Sequence, residues 1–318
     1  MQAVWMKEFG GPEVLVPAET PDPRPGPGQV LIDVVFASVT FVETQIRAGT
    51  GPMRAEPPLI PGNGVGGTVA AVGAGVDGSL VGRRVVSTTG GSGGYAERVA
   101  VPAAGLIEVP DSLGLDIAVA LLADGRTAVM LAEAAAPAAG ERVLVEAAAG
   151  GVGTLLVQLA HAAGATVVAA AGGPRKLDVA RRLGARVLVD YRSPDWADQV
   201  RAAVRGLDVV FDGVGGAIGR GAFDLLDRGG RMVSYGLASG EWAGIPAEAA
   251  AARGVRLLSP ERPSPERMRA LTETALAEAA AGRLGPVIGQ RFPLARAADA
   301  HAAIESRATV GKTLLEVG

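Results

Sequence analysis

The sequence has no cysteine, only two histidines, and few aromatic residues: six phenylalanines, three tyrosines and three tryptophans in 318 residues. Without cysteine there can be no disulfide and no thiolate-bound zinc, which fits a reducing compartment. His161 and His301 both fall in alanine-rich helical patterns and read as surface or packing residues, so no metal is expected. A core poor in aromatics must be built from Ala, Val and Leu. The net charge is −3 and the basic residues are scattered, which argues against nucleic acid as a partner. No apolar run approaches the roughly 20 residues of a membrane span. "MQAVWMKEFGGPEV" carries charge where a signal peptide needs an apolar core. A soluble, cytoplasmic protein is expected.

The chain exceeds one typical domain, and 48% of its residues are hydrophobic, enough for a substantial core. The first hundred residues carry short β-branched runs, among them Val30–Val39, Gly66–Val76, Arg83–Thr88 and Tyr95–Pro102, punctuated by Gly and Pro. They predict a small barrel-like β domain. From about residue 116 the rhythm changes. Apolar runs at 142–147, 165–171, 186–190, 207–212 and 230–236 alternate with helix-like segments, the signature of βαβ units and a parallel sheet. The tail reads as two helices and a closing strand. The fold class is therefore α/β, a β-rich domain joined to a doubly wound nucleotide-type domain.

"RVLVEAAAGGVGTLLVQLA" reads as strand, small-residue turn and helix. Ala148, Gly150 and Gly153 take the three positions of G-x-G-x-x-G, which provide a tight turn, close approach of a diphosphate, and close helix–strand packing. Ala149, Gly150, Gly151, Val152 and Gly153 are the candidate diphosphate contacts, at a helix N-terminus that favours an anion. "GNGVGG" at 62–67 matches the template letter for letter but leads into a strand, so it reads as a turn. "DGVGGAIG" at 212–219 has the wrong spacing, yet its position at a sheet edge makes Gly215 a candidate secondary contact. An NAD site usually places an acid about 20 residues past the loop. Here the second strand ends in Ala171, Gly172 and Gly173, followed by Arg175 and Lys176. Space and cations suit a 2′-phosphate, so NADPH is the expected cofactor.

These residues resemble the quinone oxidoreductases of the medium-chain dehydrogenase/reductase superfamily. "MQAVWMKEFGGPEVL", "PGPGQVLIDV", "GGYAERVAVP", "VEAAAGGVGTLLVQLAHAAGA", "LGARVLVDYR", "FDGVGG", "GRMVSYG" and "AHAAIESRATVGKTLLEV" follow the family's order over nearly the whole chain. The resemblance implies a GroES-like catalytic domain, residues 1–120 and 260–318, around a Rossmann NADPH-binding domain, residues 121–259. It implies a site in the cleft between them, a small carbonyl or quinone substrate, and a homodimer. The absence of cysteine places the chain on the family's zinc-free branch. Carried over by matching position, Lys176 and Tyr191 meet the adenosine 2′-phosphate and adenine edge. Thr127, Tyr235 and Gly236 line the nicotinamide pocket, and Lys312 lies near the cofactor unless it is an ordinary solvent-exposed strand lysine.

Two positions depart from the family. Thr40-Phe41-Val42-Glu43 stands where many relatives read Asn-Pro-x-Asp, and Gly64 follows Asn63 where they tend to carry Glu. Both changes surround the expected substrate pocket and hint at a specialised acceptor. Hydride addition to an enone or quinone builds negative charge on the carbonyl oxygen, which a hydroxyl or amide donor can stabilise. Thr40, Asn63 and Thr127 are the candidate catalytic donors. Their plainer readings are a strand-end hydroxyl, a turn former and a helix residue. Glu43 would serve as a proton donor only with a raised pKa. A short-chain reductase needs Tyr-x-x-x-Lys, and Tyr95, Tyr191 and Tyr235 are followed at that spacing by Val99, Asp195 and Ser239. An enoyl-thioester reductase and a non-catalytic NADPH-binding redox sensor remain as alternatives.

Overall fold

The computed structural model describes residues 1–51, 55–261 and 263–318. They form two compact units, Met1–Gly125 with Thr272–Gly318, and Arg126–Leu271.

In chain order the first unit holds β1 (Gln2–Met6), β2 (Leu15–Glu19), β3 (Gln29–Val39), α1 (Phe41–Arg47), β4 (Gly64–Val72), β5 (Arg84–Thr88), β6 (Arg98–Pro102) and β7 (Ile107–Glu108). The helix α2 (Leu115–Ala135) carries the chain across to the second unit. That unit runs β8 (Arg142–Glu146), α3 (Gly151–Ala162), β9 (Thr166–Ala171), α4 (Pro174–Arg182), β10 (Val187–Asp190), α5 (Trp196–Val204), β11 (Leu207–Asp212), α6 (Gly216–Phe223), β12 (Leu226–Ser234), α7 (Ala247–Arg253) and β13 (Arg256–Leu258). The helix α8 (Pro265–Ala280) leads back to β14 (Ile288–Pro293), α9 (Ala297–Glu305) and β15 (Lys312–Glu316).

The first unit is built on a seven-stranded sheet, order β14-β15-β3-β4-β5-β7, with β6 also paired to β3; β1 and β2 form a separate hairpin-like pair. All its pairings are antiparallel except β14 with β15. Its core gathers Val30, Ile32, Val34, Val65, Val69, Val85, Tyr95 and Leu315. Tyr95 is the one large aromatic side chain buried there, and Gly62 is fixed by it: a Cβ on Gly62 would stand 2.4 Å from the ring.

In the second unit six parallel strands lie in the order β10-β9-β8-β11-β12-β13. This is the doubly wound order, with the direction of winding reversing between β8 and β11. Val143–Val145, Val167–Ala171 and Val209–Phe211 are buried without interruption, as a sheet covered on both faces requires. The segment I-G-R-G-A-F-D-L-L-D-R-G at 218–229 reads as helix-like, ahead of the apolar run at 230–236. Instead α6 ends at Phe223 and β12 starts at Leu226, which pairs with Leu207 across a register shift that absorbs Gly229 and Gly230. The strand Ile288–Pro293, absent from the two-helix reading of the tail, lies at a sheet edge with half of its residues exposed.

Candidate active site

In the second unit, β8 ends at Glu146, and the chain turns through Ala147 in the left-handed region (φ 47°) into a tight turn closed by the Gly150 N–H on the Ala147 carbonyl at 2.8 Å. Alanine in that conformation costs about 1 kcal/mol, and such strain gathers at functional loops. A Cβ on Gly153 would lie 2.3 Å from the Ala147 carbonyl oxygen, so the third template position admits glycine alone. Gly150 caps α3 with no side chain, leaving the amides of Gly151, Val152 and Gly153 without an intrahelical acceptor. Such a cradle fits a diphosphate, and α3 adds the positive end of its dipole.

The next strand, β9, ends at Ala171 and delivers Gly172 and Gly173 to the start of α4. Arg175 is exposed and Lys176 half-buried in the first turn of that helix. Tyr191 and Arg192 follow the neighbouring β10: the Tyr191 ring lies 3.5 Å, and an Arg192 Nη 2.7 Å, from where Cβ atoms of Gly172 and Gly173 would stand. Arg192 was not singled out from the sequence. It is held by Asp190 through Nη2 at 2.6 Å and Nε at 2.9 Å, and this pairing keeps the Asp190 carboxyl below its ordinary range. Asp190 and Arg192 thus offset each other, and Arg175 and Lys176 add two cations in the first turn of the helix that follows the glycines. The only sequence trace of Arg192 was Asp-x-Arg at the end of a strand adjacent to β9.

On the other side of the switch point, Gly213, Val214 and Gly215 form the turn between β11 and α6. Tyr235 and Gly236 follow β12 and pack on it: a Cβ on Gly213 would meet the Tyr235 hydroxyl at 2.6 Å, and one on Gly236 the Gly213 carbonyl at 2.6 Å. Thr127 is half-buried on α2.

The first unit brings Thr40, Glu43 and Asn63 together. Thr40 caps α1 in a capping box, so it is a helix cap and not merely a strand-end hydroxyl: its Oγ1 accepts the Glu43 N–H, and Glu43 Oε2 accepts the Thr40 N–H at 2.7 Å. The Thr40 hydroxyl donates to Glu43 Oε2 at 3.0 Å, and the Asn63 N–H to Glu43 Oε1 at 2.9 Å. Asn63 Oδ1 accepts the Gly91 N–H at 2.7 Å, which fixes the orientation of its amide. Burial pushes the Glu43 carboxyl up, against the pull of the amide donors and of Lys312. The shift is in the direction that a proton-donor role demands. Behind it lie the Tyr95 hydroxyl, 3.5 Å from Glu43 Oε2, and His301 Nε2, 2.9 Å from that hydroxyl. His301 is wholly buried, and burial with Arg47 nearby lowers its pKa to about 3. Lys312 is buried at 3% exposure and pairs with Asp124 at 3.3 Å, so it is not a solvent-exposed strand lysine.

No group of three His, Cys, Asp or Glu side chains is placed to hold a metal among the described residues, and no helix is long and apolar enough to cross a membrane. The donors clustered at Thr40 are a hydroxyl, an amide and one carboxyl, with no imidazole or thiolate, and do not fit zinc.

Two family models match the chain: the alcohol dehydrogenase GroES-like domain over residues 26–111 and the zinc-binding dehydrogenase over 151–277. A probable quinone oxidoreductase of Schizosaccharomyces pombe is 36% identical over 92% of this chain and 90% of its own. Among solved structures, the Escherichia coli quinone oxidoreductase complexed with NADPH is 28% identical with a TM-score of 0.91, covering 100% of both chains. An NAD-dependent alcohol dehydrogenase is 33% identical with a TM-score of 0.90, also covering 100% of both.

Proposed function

The chain belongs to the quinone oxidoreductases of the medium-chain dehydrogenase/reductase superfamily, and from that membership we propose that it is a zinc-independent, NADPH-dependent reductase of a quinone or an α,β-unsaturated carbonyl compound. The observation that carries the cofactor choice is the end of β9, where Gly172 and Gly173 lead straight into Arg175 and Lys176 on α4 and the neighbouring Asp190 of β10 is already held by Arg192 and the Gly173 N–H. A ribose 2′-hydroxyl calls for an acid there, and a 2′-phosphate for cations. Tyr191 offers its ring to the adenine side of the same corner. The second unit is the proposed cofactor-binding part, with Thr127, Gly215, Tyr235 and Gly236 on the nicotinamide side, and the first unit the catalytic part.

When bound, the nicotinamide supplies the hydride. The chain's own task is to stabilise the charge that builds on the acceptor's carbonyl oxygen and to deliver a proton. The Thr40 hydroxyl and Asn63 Nδ2 are the proposed donors to that oxygen, preorganised by Glu43 and Gly91. A protonated Glu43 would reverse the 3.0 Å contact, donating to Thr40 Oγ1 so that the threonine hydroxyl is free to give its own proton to the acceptor and take one from Glu43. Lys312 acts through its charge on Glu43 and its pairing with Asp124. Action as a cytoplasmic homodimer is part of the same proposal.

Titration with NADPH and NADH tests the cofactor assignment. Wild type is expected to bind NADPH at least tenfold more tightly, and Lys176→Ala with Arg192→Ala to remove most of that preference while sparing NADH. Equal or tighter binding of NADH by wild type would defeat it.

A further inference from the structure

The strands flanking the switch point, β8 and β11, each end in a carboxylic acid, Glu146 and Asp212, and both side chains are fully buried. Asp212 is well supplied with donors: its Oδ1 accepts the N–H groups of Val214 at 3.1 Å and Gly215 at 2.7 Å, and its Oδ2 accepts the Ser234 hydroxyl at 2.7 Å. Glu146 is not. Its Oε2 has one long contact from the Val214 N–H at 3.3 Å, and its Oε1 meets no donor among the described residues. The two carboxyl groups meet at the Val214 N–H, 3.3 Å from Glu146 Oε2 and 3.1 Å from Asp212 Oδ1, with the Asp212 charge and hydrogen bonding acting on Glu146 and no cation paired to either among the described residues. The Tyr235 phenol, arriving from the end of β12, engages the Glu146 carbonyl oxygen at 3.3 Å rather than the carboxyl. From β9 the register partner is Ala170.

Two carboxyl groups can hydrogen bond only through a proton held between them, and two buried like charges without a counter-ion are not tolerated. Asp212 already accepts three donors, so the proton sits on Glu146. We propose that Glu146 is a positioning residue: as a neutral acid it bridges the ends of β8 and β11, fixing the Val214–Gly215 turn against the glycine loop, and NADPH binding depends on its staying protonated. The inference rests on the NADPH reading above. The geometry supplies the link, because both acids terminate the strands between which the winding reverses, where an open α/β sheet takes its ligand. Ionised Glu146 would put a second negative charge behind an anion site and push the turn away from the loop. Burial and the Asp212 charge both raise the Glu146 carboxyl well above its ordinary value.

The test pairs wild type with Glu146→Gln, whose amide can donate to Asp212 and accept from Val214 as the neutral acid does. NADPH dissociation constants are measured from pH 6 upward, alongside thermal unfolding of the unliganded protein. Near neutral pH, Glu146→Gln is expected to bind within about threefold of wild type. At alkaline pH the wild-type constant should rise, approaching about tenfold per pH unit, while that of Glu146→Gln stays flat. The unliganded wild type should likewise lose unfolding temperature relative to the variant as pH rises. A parallel pH dependence in both proteins, or loss of binding by a folded Glu146→Gln at neutral pH, would overturn the proposal. Should the variant not fold, calorimetry of wild type above pH 8 in two buffers of different ionisation enthalpy decides. Proton uptake on binding supports the pair, and none overturns it. If wild type binds no NADPH at any pH, the cofactor reading fails, and the unfolding comparison still judges the acid pair.

Discussion

At the scale of single residues, the decisive feature of the first unit is a chain of polar contacts running inward from half-buried Thr40 through the buried Glu43, Tyr95 and His301. Thr40→Val removes the donor while keeping the shape, so turnover should fall about 10- to 100-fold with the NADPH dissociation constant unchanged, and Thr40→Ser should recover most of it. The helix cap is lost as well, at about 1 kcal/mol of stability, which the same unfolding experiment reads. His301 makes a different prediction. Its folded pKa is depressed to about 3, so its contribution to stability is complete above its ordinary pKa of 6.5 and is lost as pH falls below that value. The unfolding free energy should fall by up to about 1.4 kcal/mol per pH unit below pH 6.5 from this residue alone. In His301→Gln, denaturant titrations should find lower stability at pH 7 and a shallower acid slope. Glu43 carries the opposite sign: its raised pKa gives stability that is present at low pH and lost as pH rises through the folded value.

Among the elements, the strand–loop–helix from Arg142 to Ala162 governs the cofactor site. Gly153→Ala forces a Cβ against the Ala147 carbonyl, at 2.3 Å in the present backbone. It should weaken NADPH binding by more than about tenfold while a folded protein persists, as fluorescence titration and circular dichroism would record. This element was legible because the glycine template, the apolar strand and the helix coincide, and because each strand of the parallel sheet is a continuous apolar run. Other elements were not. Ile288–Pro293 reads I-G-Q-R-F-P, with too few apolar residues to announce a strand, and it owes its place to pairing with β15 at an edge. The start of β12 was hidden by Asp-Arg-Gly-Gly, which is helix-ending and turn-like locally and joins the strand through the pairing of Leu226 with Leu207. Arg192, Glu146 and Asp212 were equally silent. Their roles arise from strand adjacency, β9 beside β10 and β8 beside β11, which no linear pattern reports.

At the scale of the whole molecule, one unit offers a glycine cradle with a cationic corner, the other a buried carboxyl behind a hydroxyl. Neither unit has a chemistry of its own to perform. In the proposed function the Thr40 cluster polarises and protonates the acceptor, the second unit holds the nucleotide, and the chain joins them in one NADPH-driven reduction. Anaerobic oxidation of NADPH and NADH against quinones, simple enones and enoyl thioesters tests that claim most directly. The account predicts turnover with NADPH and a quinone or enone, slower with NADH, and insensitive to zinc chelators. Tight NADPH binding with no turnover on any acceptor, or turnover confined to enoyl thioesters or to NADH, would contradict it.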